Sequence, residues 1–242
     1  MIPVPNCKLI VALDFDRIGP ALRLARKVSP FADLFKVGTQ LFTAEGPNAV
    51  RALSRLGKGI FLDLKFHDIP NTVAAGVKVA AGLPGVRLIN VHAAGGVEMM
   101  RAAVRALPAH RGRPRLLAVT VLTSLGELDL RQLGIAGWPE QHVLRLALLA
   151  KEAGLDGVVA SPLEIRAIRR ACGPKFLIVV PGIRPSLARP GPRDDQSRIA
   201  TPAAAARAGA DYVVVGRPIT ASPEPVVAAR SIARELALAC RG

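Results

Sequence analysis

Eight short apolar runs, each followed by a longer stretch with helical periodicity, constrain the fold of this chain more than any other feature. They begin at Leu9 (LIVALDF), Leu34 (LFKVG), Ile60 (IFLDLKF), Arg87 (RLINVHA), Arg115 (RLLAVTVL), Gly157 (GVVAS), Phe176 (FLIVVPG) and Tyr212 (YVVVGR). All are short, rich in β-branched residues and bounded by turn signals, which favours strands. The intervening stretches are Ala/Leu/Arg-rich. The clearest is PEQHVLRLALLAKEAG, residues 139–154, which opens on Pro and closes on Gly as helices do. Repeated β-α units imply a parallel sheet. Eight of them in 242 residues predict a (β/α)8 barrel formed by residues 1–242 as a single domain. An open doubly wound sheet would want a GxGxxG turn after the first strand, and LDFDRIGP is not one.

Composition agrees. Half the residues are hydrophobic but only 4% are aromatic, so the core must be built from Val, Leu, Ile and Ala. That suits strands covered on both faces. The net charge of +15 comes from arginines spread along the chain, without a basic tail or an aromatic-interleaved run. This reads as a solvated helix exterior and argues against nucleic-acid binding. Cys7, Cys172 and Cys240 form no CxxC pair, which points to a reducing compartment. No segment reaches 18 uninterrupted apolar residues and the N-terminus lacks a signal-peptide pattern, so a cytoplasmic location without a membrane span is expected.

Barrel active sites gather at the carboxyl ends of the strands. Those ends offer Asp14, Lys36, Asp63 with Lys65, His92, Thr120 with Thr123, Ser161, Arg184, and Gly216 with Arg217. Charged groups in apolar strands are costly unless paired. The densest cluster is FLDLKFHD, residues 61–68. Strand alternation points Asp63 and Lys65 one way and Leu62, Leu64 and Phe66 the other. Lys36 reaches in from the neighbouring strand and Asp68 follows in the turn, an alternating Lys–Asp–Lys–Asp array. Such carboxylates keep the ammonium groups protonated, as a proton donor to a carbanion requires. A salt-bridge network that only ties strands together is the plain alternative. No His or carboxylate spacing suggests a metal site. The longest irregular stretch, residues 183–200, follows the seventh strand, where a phosphate grip is expected.

The segment DLKFHDIPNTV (Asp63 to Val73) resembles the DxKxxD-I-x-N-T signature of the orotidine 5'-phosphate decarboxylase family. LIVALDFD, FKVGTQLFTAEGP, LLAVTVLTS, VVPGIRP and DDQSRIATPAAAARAGADYVVVGRPI resemble its other strand motifs, in order, along nearly the whole chain. The resemblance implies a cofactor-free carboxy-lyase acting on orotidine 5'-phosphate and releasing uridine 5'-monophosphate. By the same resemblance Asp14 and Lys36 bind the ribose, Asp63 faces the substrate carboxylate and Lys65 donates the proton. Asp68 and Thr72 complete the site of the other subunit in a homodimer. Thr123 contacts the pyrimidine, and Arg184, Gln196, Gly216 and Arg217 hold the phosphate. The roles of Arg189, Arg193 and Arg198 stay open. Metal-dependent sugar-phosphate decarboxylases share a similar motif, but carry a carboxylate where this chain has Lys36.

Overall fold

The computed structural model describes residues 7–185 and 198–239. Its eight strands are β1 (Lys8–Ala12), β2 (Leu34–Gly38), β3 (Gly59–Phe66), β4 (Val86–His92), β5 (Arg115–Val119), β6 (Gly157–Val159), β7 (Leu177–Val180) and β8 (Tyr212–Val215). Each pairs in parallel with the next and β8 closes on β1, so the sheet is a complete barrel with helices between consecutive strands. The expected barrel is therefore present. The strands are shorter than the apolar runs at their carboxyl ends: β1 stops at Ala12 and β5 at Val119, leaving Asp14 and Thr123 in the loops beyond.

Side-chain parity divides the core in two. Ile10, Ala12, Leu34, Phe61, Leu88, Leu117, Val179 and Val214 fill the barrel interior. Their neighbours, such as Leu9, Val11, Phe35, Ile60, Leu62 and Ile89, face outward against the helices. Both faces are dry, which is why the strands read as nearly continuous apolar runs. Each large aliphatic side chain fully buried in this way contributes about 1.5–3 kcal/mol. The same parity sets the floor and ceiling of the interior. Two residues beyond Leu34, Phe61 and Leu88 come Lys36, Asp63 and Asn90, so a polar layer sits directly on an apolar one.

The helix read from residues 139–154 forms over Pro139–Glu152, with Pro at its start and Gly154 at φ +87° just past its end. Opposite β7, Gly157 marks a close backbone approach. A Cβ there would run into the Leu177 carbonyl and lie 2.6 Å from the Leu177 Cβ. Gly157→Ala should therefore push β6 and β7 apart and cost about 1–3 kcal/mol of stability, measured as a lower midpoint in urea unfolding; an unchanged midpoint would show that the strands yield without strain.

Candidate active site

The carboxyl ends of the strands enclose a cavity of about 650 Å³. Its floor is apolar: Ala12, Phe61, Val119, Val159 and Val214. Asp14, Lys36, Asp63 and Lys65 line one side; Arg184, Gly216 and Arg217 enter from beyond β7 and β8; Thr123 and Ser124 close it from the loop after β5. A largely apolar pocket with a few convergent polar groups is the usual form of a small-molecule site.

The charged side is a chain of alternating sign. Lys36 Nζ lies 2.9 Å from Asp14 Oδ1 and 3.3 Å from Asp63 Oδ2, and Lys65 Nζ lies 2.8 Å from Asp63 Oδ1. Asp63 is 7% exposed. Burial by itself would push its carboxyl up, but Lys36, Lys65 and the hydrogen bonds from Lys65 and Asn90 reverse this and hold it below the ordinary carboxylate value. Lys36 shows the mirror image: burial pulls it down, while Asp63 and Asp14 outweigh the burial and raise it. Gly38 makes the Lys36–Asp14 contact possible, since a Cβ there would sit 2.6 Å from Lys36 Nζ and 3.1 Å from Asp14 Oδ1.

Lys65 reaches this place by a route that simple alternation does not describe. It is the only non-glycine residue with positive φ (51°) among those described. The β3–β4 register jumps from Leu62↔Ile89 to Phe66↔Val91, so β3 arches away from its neighbour between these pairs. Leu62, Leu64 and Phe66 nonetheless pack outward as alternation predicts. The arch also carries Asp68 out to the rim. There it is exposed, with Oδ1 accepting the N–H of Ile69 at 2.6 Å. Asp68 makes no ion pair among the described residues, so the in-chain array is Asp14–Lys36–Asp63–Lys65, and the expectation that Asp68 extends it from its own turn is corrected. Thr72 is likewise exposed, in the first turn of helix Pro70–Ala81, and neither residue lines this chain's own cavity.

The remaining expected residues divide. Gly216 caps the short helix Arg217–Thr220, and Gly216, Arg217 and Arg184 all line the cavity. Gln196, Arg189 and Arg193 lie outside the described residues, as does most of the 183–200 segment. At its ends, Ile183 bridges Ala200, and the Arg184 N–H donates to the Ala200 carbonyl at 2.9 Å. Arg198 turns inward, pairing with buried Glu164 at 2.6 Å and donating to the Leu122 carbonyl at 3.2 Å. Burial still raises the Glu164 carboxyl despite Arg198 beside it. Thr120 and Ser161 are buried in local hydrogen bonds, to the Val159 carbonyl and from the Leu163 N–H. His92 stacks on His67 with centroids 5.1 Å apart; burial, His67 and Lys65 all lower its pKa. No group of three metal-binding side chains occurs among the described residues.

Two residues escaped sequence reasoning. Gln40 lines the cavity and donates to Asp16 at 2.7 Å. Asn90, wholly buried, donates to Asp63 Oδ1 at 2.7 Å. The signal for Asn90 was present: a polar residue in RLINVHA, on the same face as His92.

A closed barrel with ionisable side chains gathered over its carboxyl-terminal mouth defines a (β/α)8-barrel enzyme. Within that class, residues 7–232 match the model of the Orotidine 5'-phosphate decarboxylase / HUMPS family, and the chain belongs to it. It is 54% identical over 235 residues to an orotidine 5'-phosphate decarboxylase of Moorella thermoacetica, covering 95% of this chain and 92% of that protein. It is 51% identical over 229 residues to one of Nitrosococcus oceani, covering 95% and 97%. The crystal structure of orotidine 5'-phosphate decarboxylase from Lactobacillus acidophilus superposes with a TM-score of 0.82 at 40% identity, over 95% of this chain and 99% of that one.

Because the Asp63 pKa is lowered by folding, its ionised form stabilises the protein above the ordinary value of 3.8, and that contribution is lost as pH falls from there through the lowered value. The stability difference between the wild type and Asp63→Asn should accordingly be constant from about pH 5 to neutrality and shrink in more acid solution. Urea titrations across this range check it; a difference that grew on acidification would contradict the ion-pair geometry.

Proposed function

We propose that this chain decarboxylates orotidine 5'-phosphate to uridine 5'-monophosphate and CO2, the last step of de novo pyrimidine nucleotide synthesis. The observation that carries the reading is the buried Asp63 carboxylate held between Lys36 and Lys65 over an apolar floor at the cavity mouth. Loss of CO2 breaks the C6–carboxylate bond and leaves the electron pair on C6. The Lys65 ammonium stabilises that developing charge and then gives C6 its proton, to be replaced from solvent. A preorganised cation in a water-poor site is an effective device for this, because it needs no reorganisation during the reaction. The step as written uses no cofactor. Asp63, beside the substrate carboxylate, fixes Lys65 and disfavours the ground state. Asp14 and Lys36 take the ribose hydroxyls, and Thr123 takes the pyrimidine.

The phosphate belongs at the other side of the cavity. Arg184, Arg217 and the N–H groups following Gly216 form a cationic corner suited to a dianion, and Gln196 of the 183–200 segment joins them in this reading. Binding energy from this remote group supports catalysis at C6. The whole chain, residues 1–242, acts as one barrel domain of cytoplasmic location.

The working form is a homodimer in which Asp68 and Thr72 complete the neighbour's site. Support comes from their exposure and their surroundings: Ile69 is 66% exposed, and Thr72, Ala75 and Val79 form an exposed stripe along one helix.

A spectrophotometric assay of orotidine 5'-phosphate consumption tests the activity. The wild type should turn it over and Lys65→Ala should not, while remaining folded by circular dichroism; near-normal turnover by that variant would remove Lys65 from the mechanism. Mixing Lys65→Ala with Asp68→Ala protein under conditions of subunit exchange should restore part of the activity, one intact site forming in each mixed dimer. Mixed dimers that form and stay inactive would count against a shared site.

A further inference from the structure

We infer that Asn90 is a positioning residue for the reacting pair, locking the Lys65 backbone and the Asp63 carboxylate together through one carboxamide. The inference rests on the reading of Lys65 as proton donor. Three hydrogen bonds close a ring. Asn90 Oδ1 accepts the Lys65 backbone N–H at 2.8 Å, Asn90 Nδ2 donates to Asp63 Oδ1 at 2.7 Å, and Lys65 Nζ donates to that same Asp63 oxygen at 2.8 Å. The partners dictate the orientation of the amide: its oxygen must face the N–H and its nitrogen must face the carboxylate.

The ring solves a problem created by the arch in β3. Where the strand leaves β4, the Lys65 N–H has left the regular ladder, and a buried N–H without a partner costs free energy comparable to a lost hydrogen bond. Lys65 also sits at φ 51°, a conformation strained for a non-glycine residue that persists only when its surroundings hold it. Asn90 supplies the missing acceptor from the neighbouring strand. Being wholly buried and flanked in β4 by buried Ile89 and Val91, it has little room to swing away. It is not among the residues lining the cavity, so it acts on the reaction through Lys65 and Asp63 and not by touching substrate. A carboxamide is specifically suited: Leu would orphan the N–H, and Asp would set a second carboxylate against Asp63.

The test uses the full chain as wild type, Asn90→Ala and Asn90→Asp, with kcat and KM for orotidine 5'-phosphate, uridine 5'-monophosphate affinity by calorimetry, thermal melting, and the pH dependence of kcat. In Asn90→Ala, kcat should fall roughly 100-fold, the scale expected when a reacting group shifts by about 1 Å, with KM and product affinity little changed. Asn90→Asp keeps the acceptor for Lys65 and nearly the same volume, so it reports even if the alanine variant does not fold. Its new carboxyl faces Asp63 and the Lys65 backbone. Lys65 Nζ and Lys36 lie on Asp63, with Asp14 beyond Lys36 and His92 two residues along β4. Adjacent carboxylates resist joint ionisation, so the acid limb of its kcat profile should move to higher pH. A packing role alone would lower the melting temperature of Asn90→Ala and leave the kcat of its folded form in place. Wild-type kcat in folded Asn90→Ala, or an unmoved profile in Asn90→Asp, overturns the inference. Absence of decarboxylation by the wild type overturns instead the functional reading beneath it.

Discussion

Everything at the mouth of this barrel depends on a carboxylate that is almost wholly withdrawn from water. Removing an ionised acid from solvent costs several kcal/mol, and the fold must return that in counter-charge and hydrogen bonds. For Asp63 the return comes from three directions: Lys36 across the β2 edge, Lys65 further along its own strand, and Asn90 across the β4 edge. Each partner is in turn constrained. Lys36 is shared with Asp14, and the Lys65 backbone is held by Asn90. A site assembled in this way is stiff before any ligand arrives, which is the condition under which fixed charges are effective in catalysis.

The opposite rim is organised by another buried pair. Arg198 meets Glu164 beyond β6 and reaches the Leu122 carbonyl beyond β5, while two residues later Ala200 accepts from Arg184 beyond β7. Three rim segments are thus tied at one point. Thr123 and Arg184, which line different walls of the cavity, are each one residue or one hydrogen bond away from that tie.

The architecture was legible in the sequence because the two buried faces of each strand write themselves as apolar runs, and eight such runs leave few ways to close a sheet. The positions of Lys36 and Asp63 followed from motif and parity together, whereas for Lys65 the motif gave the residue and parity did not give the path. What parity could not reveal was the arch in β3: a positive φ at Lys65 has no signature in residue type, since lysine is not a residue that favours it. Parity likewise kept Asp68 in the array of its own turn, and only the family resemblance directed it to the other subunit. Asn90 was passed over because a single amide in a strand is ordinarily a satisfied core group, and its importance lies in which two atoms it satisfies. Arg198 was read together with Arg189 and Arg193 as an arginine of open role, because a sequence records charge and not direction.

Ring closure carries a consequence for how this molecule can meet others. With β8 bonded to β1, each of the eight described strands has a neighbour on both sides, and the barrel itself presents no row of unpaired amides to an extended segment of another chain. Recognition by strand addition is closed to this barrel. Its encounters must run through side chains on helices and loops, where single substitutions can tune them without disturbing the ring that carries the charges.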